Sequence, residues 1–480
     1  MRTSSQARSM ILTATFVVTV VALFSVAIAY LFRPPRPAPT ASSPELPCTI
    51  NMVLDTSASM QGYLTGRTEF KDTLSHVVSA FDKYQHQEQS EKTKCTRSIA
   101  FQYATDSGSL TPSGDDSASF LDKLLNNELT QGQSSLLQEM FRNVVEESSG
   151  GSLEPVTVPH RTDPAPVAPP PPTELSILIT DSIFSYSDAE IKKNREINKE
   201  NIEGLASKVN MIFDAAQAAG KSVSILVFKS QFHGTYYDYQ NRKIAWGASP
   251  RPYYMWIIGS PANVRAIRSF VQAEGILPDH ALDFTVKPFD PSPSILQYTE
   301  RKGNWNRHND ENPKRIHVKR PFPDDRNRHP DPGGDSEKEI EFAIALDLSQ
   351  LSSDQLSSDY LANHLKVESQ SPDLQIKTIA INTRQEIDAK LDPKDRGGIP
   401  RATHVVLITT DFRFTKTALL SISIDDALPA WYLDWSNEDD TRKDQHTLES
   451  TFGLKHFVEA IARAYRIKTP IAKTTVVLER

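Results

Sequence analysis

The chain has 480 residues, 38% hydrophobic and 24% charged, with 32 prolines and a formal net charge of -7. That length supports two or three domains, each with its own core, and the proline content points to connectors between them. The acidic balance excludes an electrostatic case for nucleic acid or an anionic membrane surface as the main partner.

Met10 to Phe32 is almost unbroken in apolar character, long enough to cross a bilayer as a helix. Arg2 and Arg8 precede it and Arg33 and Arg36 follow, which tips the amino terminus towards the inside. Ala27-Ile28-Ala29 also offers a signal-peptidase sequence, but the run exceeds a usual signal core, so an uncleaved signal anchor is expected. Residues 1–9 would then be cytoplasmic, 10–32 the anchor and 33–47 a Pro-rich tether. The remainder would lie outside the cytoplasm. The absence of any Asn-x-Ser/Thr acceptor agrees with a bacterial inner-membrane, periplasm-facing address.

A first domain is expected over 48–274. Met52-Val53-Leu54 reads as a buried strand that delivers Asp55, Ser57 and Ser59 to the loop at its end. Thr68 to Lys83 carries Phe70, Leu74, Val77, Val78 and Phe81 at amphipathic-helix spacing. Ser98–Ala104 is a strand, Phe120 to Leu125 a short helix, and Ser135–Glu147 a helix that Ser134 precedes. Residues 154–173 form a Pro-rich insertion, read as a surface spacer. Leu175–Asp181 is a second apolar strand ending in a carboxylate. Asp188–Ala219 is a long helix closed by Gly220. Val223–Phe228 is the next strand, Tyr236–Trp246 an inserted hairpin and Tyr253–Gly259 the last strand. Ser260-Pro261 then starts a helix. Alternating strands and helices call for a parallel sheet covered on both faces.

One carboxylate and two hydroxyls on alternate residues are hard oxygen donors suited to a small divalent cation. Together with Ser134 and Asp181 in later loops, the Asp55-x-Ser57-x-Ser59 cluster resembles the metal-ion-dependent adhesion site of the von Willebrand factor A (vWA) family. The second-loop residue, usually Thr, is Ser134, with Ser135 a substitute; the Gly that commonly follows the third-loop Asp is Ser182. The resemblance covers about 48–274. It implies an α/β, doubly wound, mostly parallel sheet with helices on both faces. It also implies Mg²⁺ (or Mn²⁺) held by Asp55, Ser57, Ser59, Ser134 and Asp181, with one position open to a partner's carboxylate. In that fold the strands opening at Cys48 and Cys95 are parallel neighbours, so these two cysteines of an exported chain are expected to form a disulfide.

Residues 275–337 turn to Pro, Asn, Asp, Arg and His and read as a polar linker; their interleaved acids argue against nucleic-acid contact. From 338 to 480 a C-terminal β-rich domain is expected, α+β or a sandwich. Its strands are Glu339–Leu348, Leu374–Ile381, Val405–Ile408 and Leu419–Ile424, and Leu454–Arg466 is a terminal helix. Asp434, Ser436, Glu438 and Asp440 imitate the opening of a calcium loop, but Asp439 and Gln445 stand where glycine and glutamate are needed, so a solvated acidic turn is the better reading. The histidines show no zinc spacing, and no phosphate loop or nucleophile elbow is present.

The expected function is therefore non-enzymatic: membrane-anchored, metal-dependent adhesion or assembly through an acidic partner residue. Two alternatives stand beside it, a scaffold whose C-terminal domain binds and a metal-assisted hydrolase using Ser57.

Overall fold

The computed structural model describes residues 46–87, 98–105, 108–129, 136–148, 174–183, 199–238, 242–286, 288–310, 314–319, 339–372, 374–397, 399–411, 417–442, 444–465 and 470–479. Seven strands make a large sheet: β1 (Thr49–Asp55), β2 (Ser98–Ala104), β3 (Leu110–Pro112), β4 (Leu175–Thr180), β5 (Ser222–Tyr237), β6 (Lys243–Gly259) and β7 (His280–Phe284). Their spatial order is β3-β2-β1-β4-β6-β5-β7.

The middle of this sheet follows the sequence expectation. β1 is parallel to both β2 and β4, and its apolar residues alternate between two cores. Ile50, Met52 and Leu54, with Ile177 and Ile179 of β4, face one side; Val53 and Leu178 face the other. On the first side lie helices α1 (Glu69–Gln87), α2 (Ser117–Asn126) and, further along the chain, α5 (Pro261–Ala273). On the second lie α3 (Leu137–Ser148) and α4 (Lys199–Ala218). Phe70, Leu74, Val77, Val78 and Phe81 of α1 are all buried, as their spacing requires.

The flanks correct the mostly parallel sheet to a mixed one. β6 is antiparallel to both β4 and β5, β7 is antiparallel to β5, and β3 to β2. β5 and β6 are one long hairpin, of which the expected Tyr236–Trp246 hairpin is only the tip. Asp238 and Arg242 close that tip, Arg242 Nε donating to Asp238 Oδ2 at 2.7 Å. So short a connection forces the returning strand to run antiparallel.

Two smaller sheets and a two-stranded pair, β16 (Ser436–Asn437) with β17 (Thr451–Phe452), follow. One, in the order β13-β14-β11-β8, contains Ile376–Thr383, His404–Asp411, Glu339–Leu346 and Ser294–Leu296. The other, β12-β15-β18-β10-β9, contains Leu365–Ser369, Thr417–Asp425, Pro470–Glu479, Lys314–Val318 and Trp305–His308. They bury one common core, with Ile340, Phe342, Ile344 and Leu346 meeting Leu420, Ile422, Ile424, Val476 and Leu478.

The polar linker expected over 275–337 is corrected here. It supplies β7 to the large sheet and β8, β9 and β10 to the smaller ones, and Trp305 is fully buried. In Lys314–Val318 only Ile316 and Val318 turn inward, too weak an alternation to stand out among basic neighbours. The terminal helix, α6 (Leu454–Ala464), packs against α4 on the large sheet rather than in the C-terminal core. Its Phe457 ring lies 5.0 Å from Trp256 and 5.1 Å from Phe141.

The expected bacterial inner-membrane address is not shown by the described residues. Among the described residues no helix is long and apolar enough to cross a membrane. Residues 10–32, the tether and the 154–173 insertion lie outside the described residues. Cys48 is disulfide-bonded, and its carbonyl accepts from Ser98 N–H at 2.8 Å where β1 and β2 begin. Cys95 lies outside the described residues.

Phe457 sits among three aromatic rings of the large-sheet core, so Phe457→Ala should destabilise the chain by about 3–5 kcal/mol. Urea unfolding measures this; a change below about 1 kcal/mol would take α6 out of that core.

Candidate functional site at the carboxyl edge of the large sheet

Parallel pairing brings the first and third loops together. Leu54 is paired with Ile179, so β1 and β4 end side by side. Asp55 closes one strand, and Thr180 and Asp181 close the other. After β1 the chain turns towards β2; after β4 it turns the opposite way. Such a switch point, at the carboxyl ends of the strands, is where open α/β sheets bind ligands.

Asp55 and Asp181 are 1% and 4% exposed, while Ala58 and Ser59 are half-buried at the rim. Asp55 Oδ1 accepts from Ser57 N–H at 2.9 Å and Oδ2 from the Thr180 hydroxyl at 2.8 Å. The Ser57 and Ser59 hydroxyls lie 3.0 Å apart. Asp181 Oδ1 accepts from Ile183 N–H at 3.3 Å. Between them Ser182 holds a left-handed φ of 55°, which an L residue adopts only at some cost. It is kept there from both ends. Its N–H donates to Thr180 Oγ1 at 3.1 Å, and its Oγ accepts from Trp256 Nε1 at 2.9 Å.

Burial, and then the negative charge of Asp55, push the Asp181 carboxyl up to about 7. Hydrogen bonds from Ser59 and Ile183 and the charge of Arg251 pull it down by less. The pair is therefore short of positive charge.

The structure brings four of the five sequence-derived residues together: Asp55, Ser57, Ser59 and Asp181. Ser134, with its substitute Ser135, lies outside the described residues. The expected metal centre is corrected. Among the described residues no group of three or more His, Cys, Asp and Glu could hold a metal ion. The described part of the site holds two carboxylates, Asp55 and Asp181, and two hydroxyls, Ser57 and Ser59. The acidic stretch Asp434–Asp440 is not a solvated turn throughout: Asp440 is fully buried and accepts from the Tyr236 hydroxyl.

Sequence reasoning missed the residues behind the site. Arg251, 2% exposed, stacks 4.1 Å over the Tyr236 ring and donates to the Thr447 carbonyl at 3.3 Å. Burial alone would lower its pKa, but Tyr236, Tyr63, Asp181 and Asp440 outweigh that and raise it, so the guanidinium stays charged. Burial raises the Tyr63 and Tyr236 phenols, which remain protonated donors. Tyr63 donates to the Pro252 carbonyl at 2.5 Å. The available signal was a lone arginine between Pro250 and Pro252 at the head of an apolar strand.

The chain matches no family model, no curated protein and no solved structure.

A carboxyl with a raised folded pKa keeps its proton after the unfolded chain has released its own. Wild-type stability should therefore fall as pH rises from about 4 to about 7 on account of Asp181. Asp181→Asn abolishes that loss. Its stability relative to wild type should be near zero at acid pH and grow to a few kcal/mol near neutrality, then level off. Urea titrations across that range check the sign; a difference independent of pH would contradict it.

Proposed function

We propose that the chain is a non-enzymatic binding protein whose large-sheet domain is vWA-like, and that it engages a protein partner at the Asp55–Asp181 edge. Three features support the vWA-like reading. The β2-β1-β4 core is parallel and carries an antiparallel β3 at its outer edge. The first and third loops meet at the switch point. Ser182, standing where that family commonly has glycine, takes the left-handed backbone that glycine favours.

The observation that carries the functional reading is the charge balance. Two buried carboxylates adjoin a hydroxyl-lined rim, and the pair holds Asp181 well above the usual carboxylate range. A bare carboxylate on the partner would be repelled there. The complementary group is positively charged, an ammonium or guanidinium, which can donate charge-assisted hydrogen bonds to Asp55 and Asp181 and a further one to the Ser59 hydroxyl. A nucleophilic role for Ser57 has less support, since its hydroxyl lies against Ser59 rather than a base.

Selection of a random peptide library against the purified chain, counter-selected with Asp55→Asn, should enrich peptides with a lysine or arginine. Their affinity should drop about tenfold or more in Asp55→Asn or Asp181→Asn, the scale of one lost charge-assisted contact. Chelator should leave binding unchanged. Enrichment of acidic peptides whose binding chelator abolishes would overturn this reading and place a cation between the two carboxylates.

A further inference from the structure

Beyond the sheet edge the β5/β6 hairpin runs on. β7 pairs with β5 only over 223–227, and β4 pairs with β6 only over 254–259, which leaves 229–237 and 243–252 projecting past the carboxylate pair. A much later stretch, 436–452, is fastened to this hairpin at three points. The Tyr236 hydroxyl donates to the buried Asp440 carboxylate. Arg251 Nη1 donates to the Thr447 carbonyl at 3.3 Å. Tyr254 Oη, at the hairpin's base, donates to Thr451 Oγ1 at 2.9 Å.

Arg251 belongs to both neighbourhoods. Its guanidinium covers the Tyr236 ring that carries Asp440, and its charge is felt at Asp181 as well as at Asp440. β4 pairs Thr180 with Tyr254, which sets Arg251, three residues before Tyr254, on the strand next to Asp181, so one buried cation adjoins both the site and the clamp on 436–452. We propose that Arg251 is a positioning residue coupling the two: neutralising the negative charge of the site strengthens the seating of 436–452, and unseating that segment weakens the site. A positive group arriving beside Asp181 repels the guanidinium towards Asp440 and the Thr447 carbonyl, which tightens the clamp. Coupling of this kind is reciprocal by linkage. The identity of the positive group rests on the function proposed above; the internal coupling does not.

The test therefore uses no ligand. Amide hydrogen exchange of the full chain is followed in peptides from 436–452 for wild type, Asp181→Asn, Asp440→Asn and the double variant. Asp181→Asn imitates a neutralised site. It should slow exchange in 436–452 by about threefold or more beyond any change in control peptides of β11 and β14, a shift on the scale of contact coupling energies. In the Asp440→Asn background the same substitution should have no such local effect. Should Asp440→Asn fail to fold, Tyr236→Phe removes the hydroxyl link and should shrink the coupling instead. An unchanged local rate in Asp181→Asn, or an effect of equal size with and without the Asp440 link, would overturn the proposal. The function proposed above stands or falls on peptide binding, so the two failures are distinguishable.

Discussion

Two aspartates at the ends of neighbouring parallel strands are held in one small buried volume, and their mutual repulsion is the constraint around which the rest of this edge is arranged. The β1/β4 register ends the two strands side by side, and both carboxylates are buried. Burial removes the water that would otherwise screen them. What remains is local compensation. Ser57 N–H and the Thr180 hydroxyl serve Asp55, Ile183 N–H serves Asp181, and Ser182 is bent into the left-handed region between them. Burial first, and then the charge of Asp55, raise the Asp181 carboxyl. The left-handed backbone of Ser182 persists because Trp256 and Thr180 hold that residue from either side.

The second compensation is longer in range. Arg251 is buried on the far side of the same edge, and a buried guanidinium needs a full set of acceptors and negative charges. It finds them in the Tyr236 ring, the Thr447 carbonyl and the charges of Asp181 and Asp440. Some of these belong to a segment near the end of the chain, so the electrostatics around Asp181 reach residues hundreds of positions away. The hydrophobic packing points the same way: α6 lays Phe457 on Trp256 and Phe141, joining the terminal helix to the large sheet. From Leu46 onward the chain behaves as one compact unit.

Much of the large sheet was legible before any coordinates. Buried central strands must be apolar on both faces, so Thr49–Asp55 and Leu175–Thr180 announced themselves, as did the α1 stripe with its helical period. The carboxylates and hydroxyls were legible because polar residues at the end of an apolar strand have few structural reasons to be there. The strands of 280–318 were not, because short half-exposed strands bury only two or three side chains each. Trp305 looked like an isolated aromatic in a basic run and is instead enclosed by the two smaller sheets. Arg251 was passed over for a related reason: a single charged residue carries no period.

The sequence by itself determined the local elements and the chemistry delivered to the ends of β1 and β4, since strand period, helix stripe and donor type are properties of neighbouring residues. Only the tertiary structure decided the order and direction of the strands. β6 returns between β4 and β5 because the hairpin connection is too short for a crossover, and no periodicity records a connection's direction. Only the tertiary structure, likewise, set Arg251 and Asp440 behind Asp181, because the affinity of a buried cation for distant carboxylates is expressed once folding has removed the water between them.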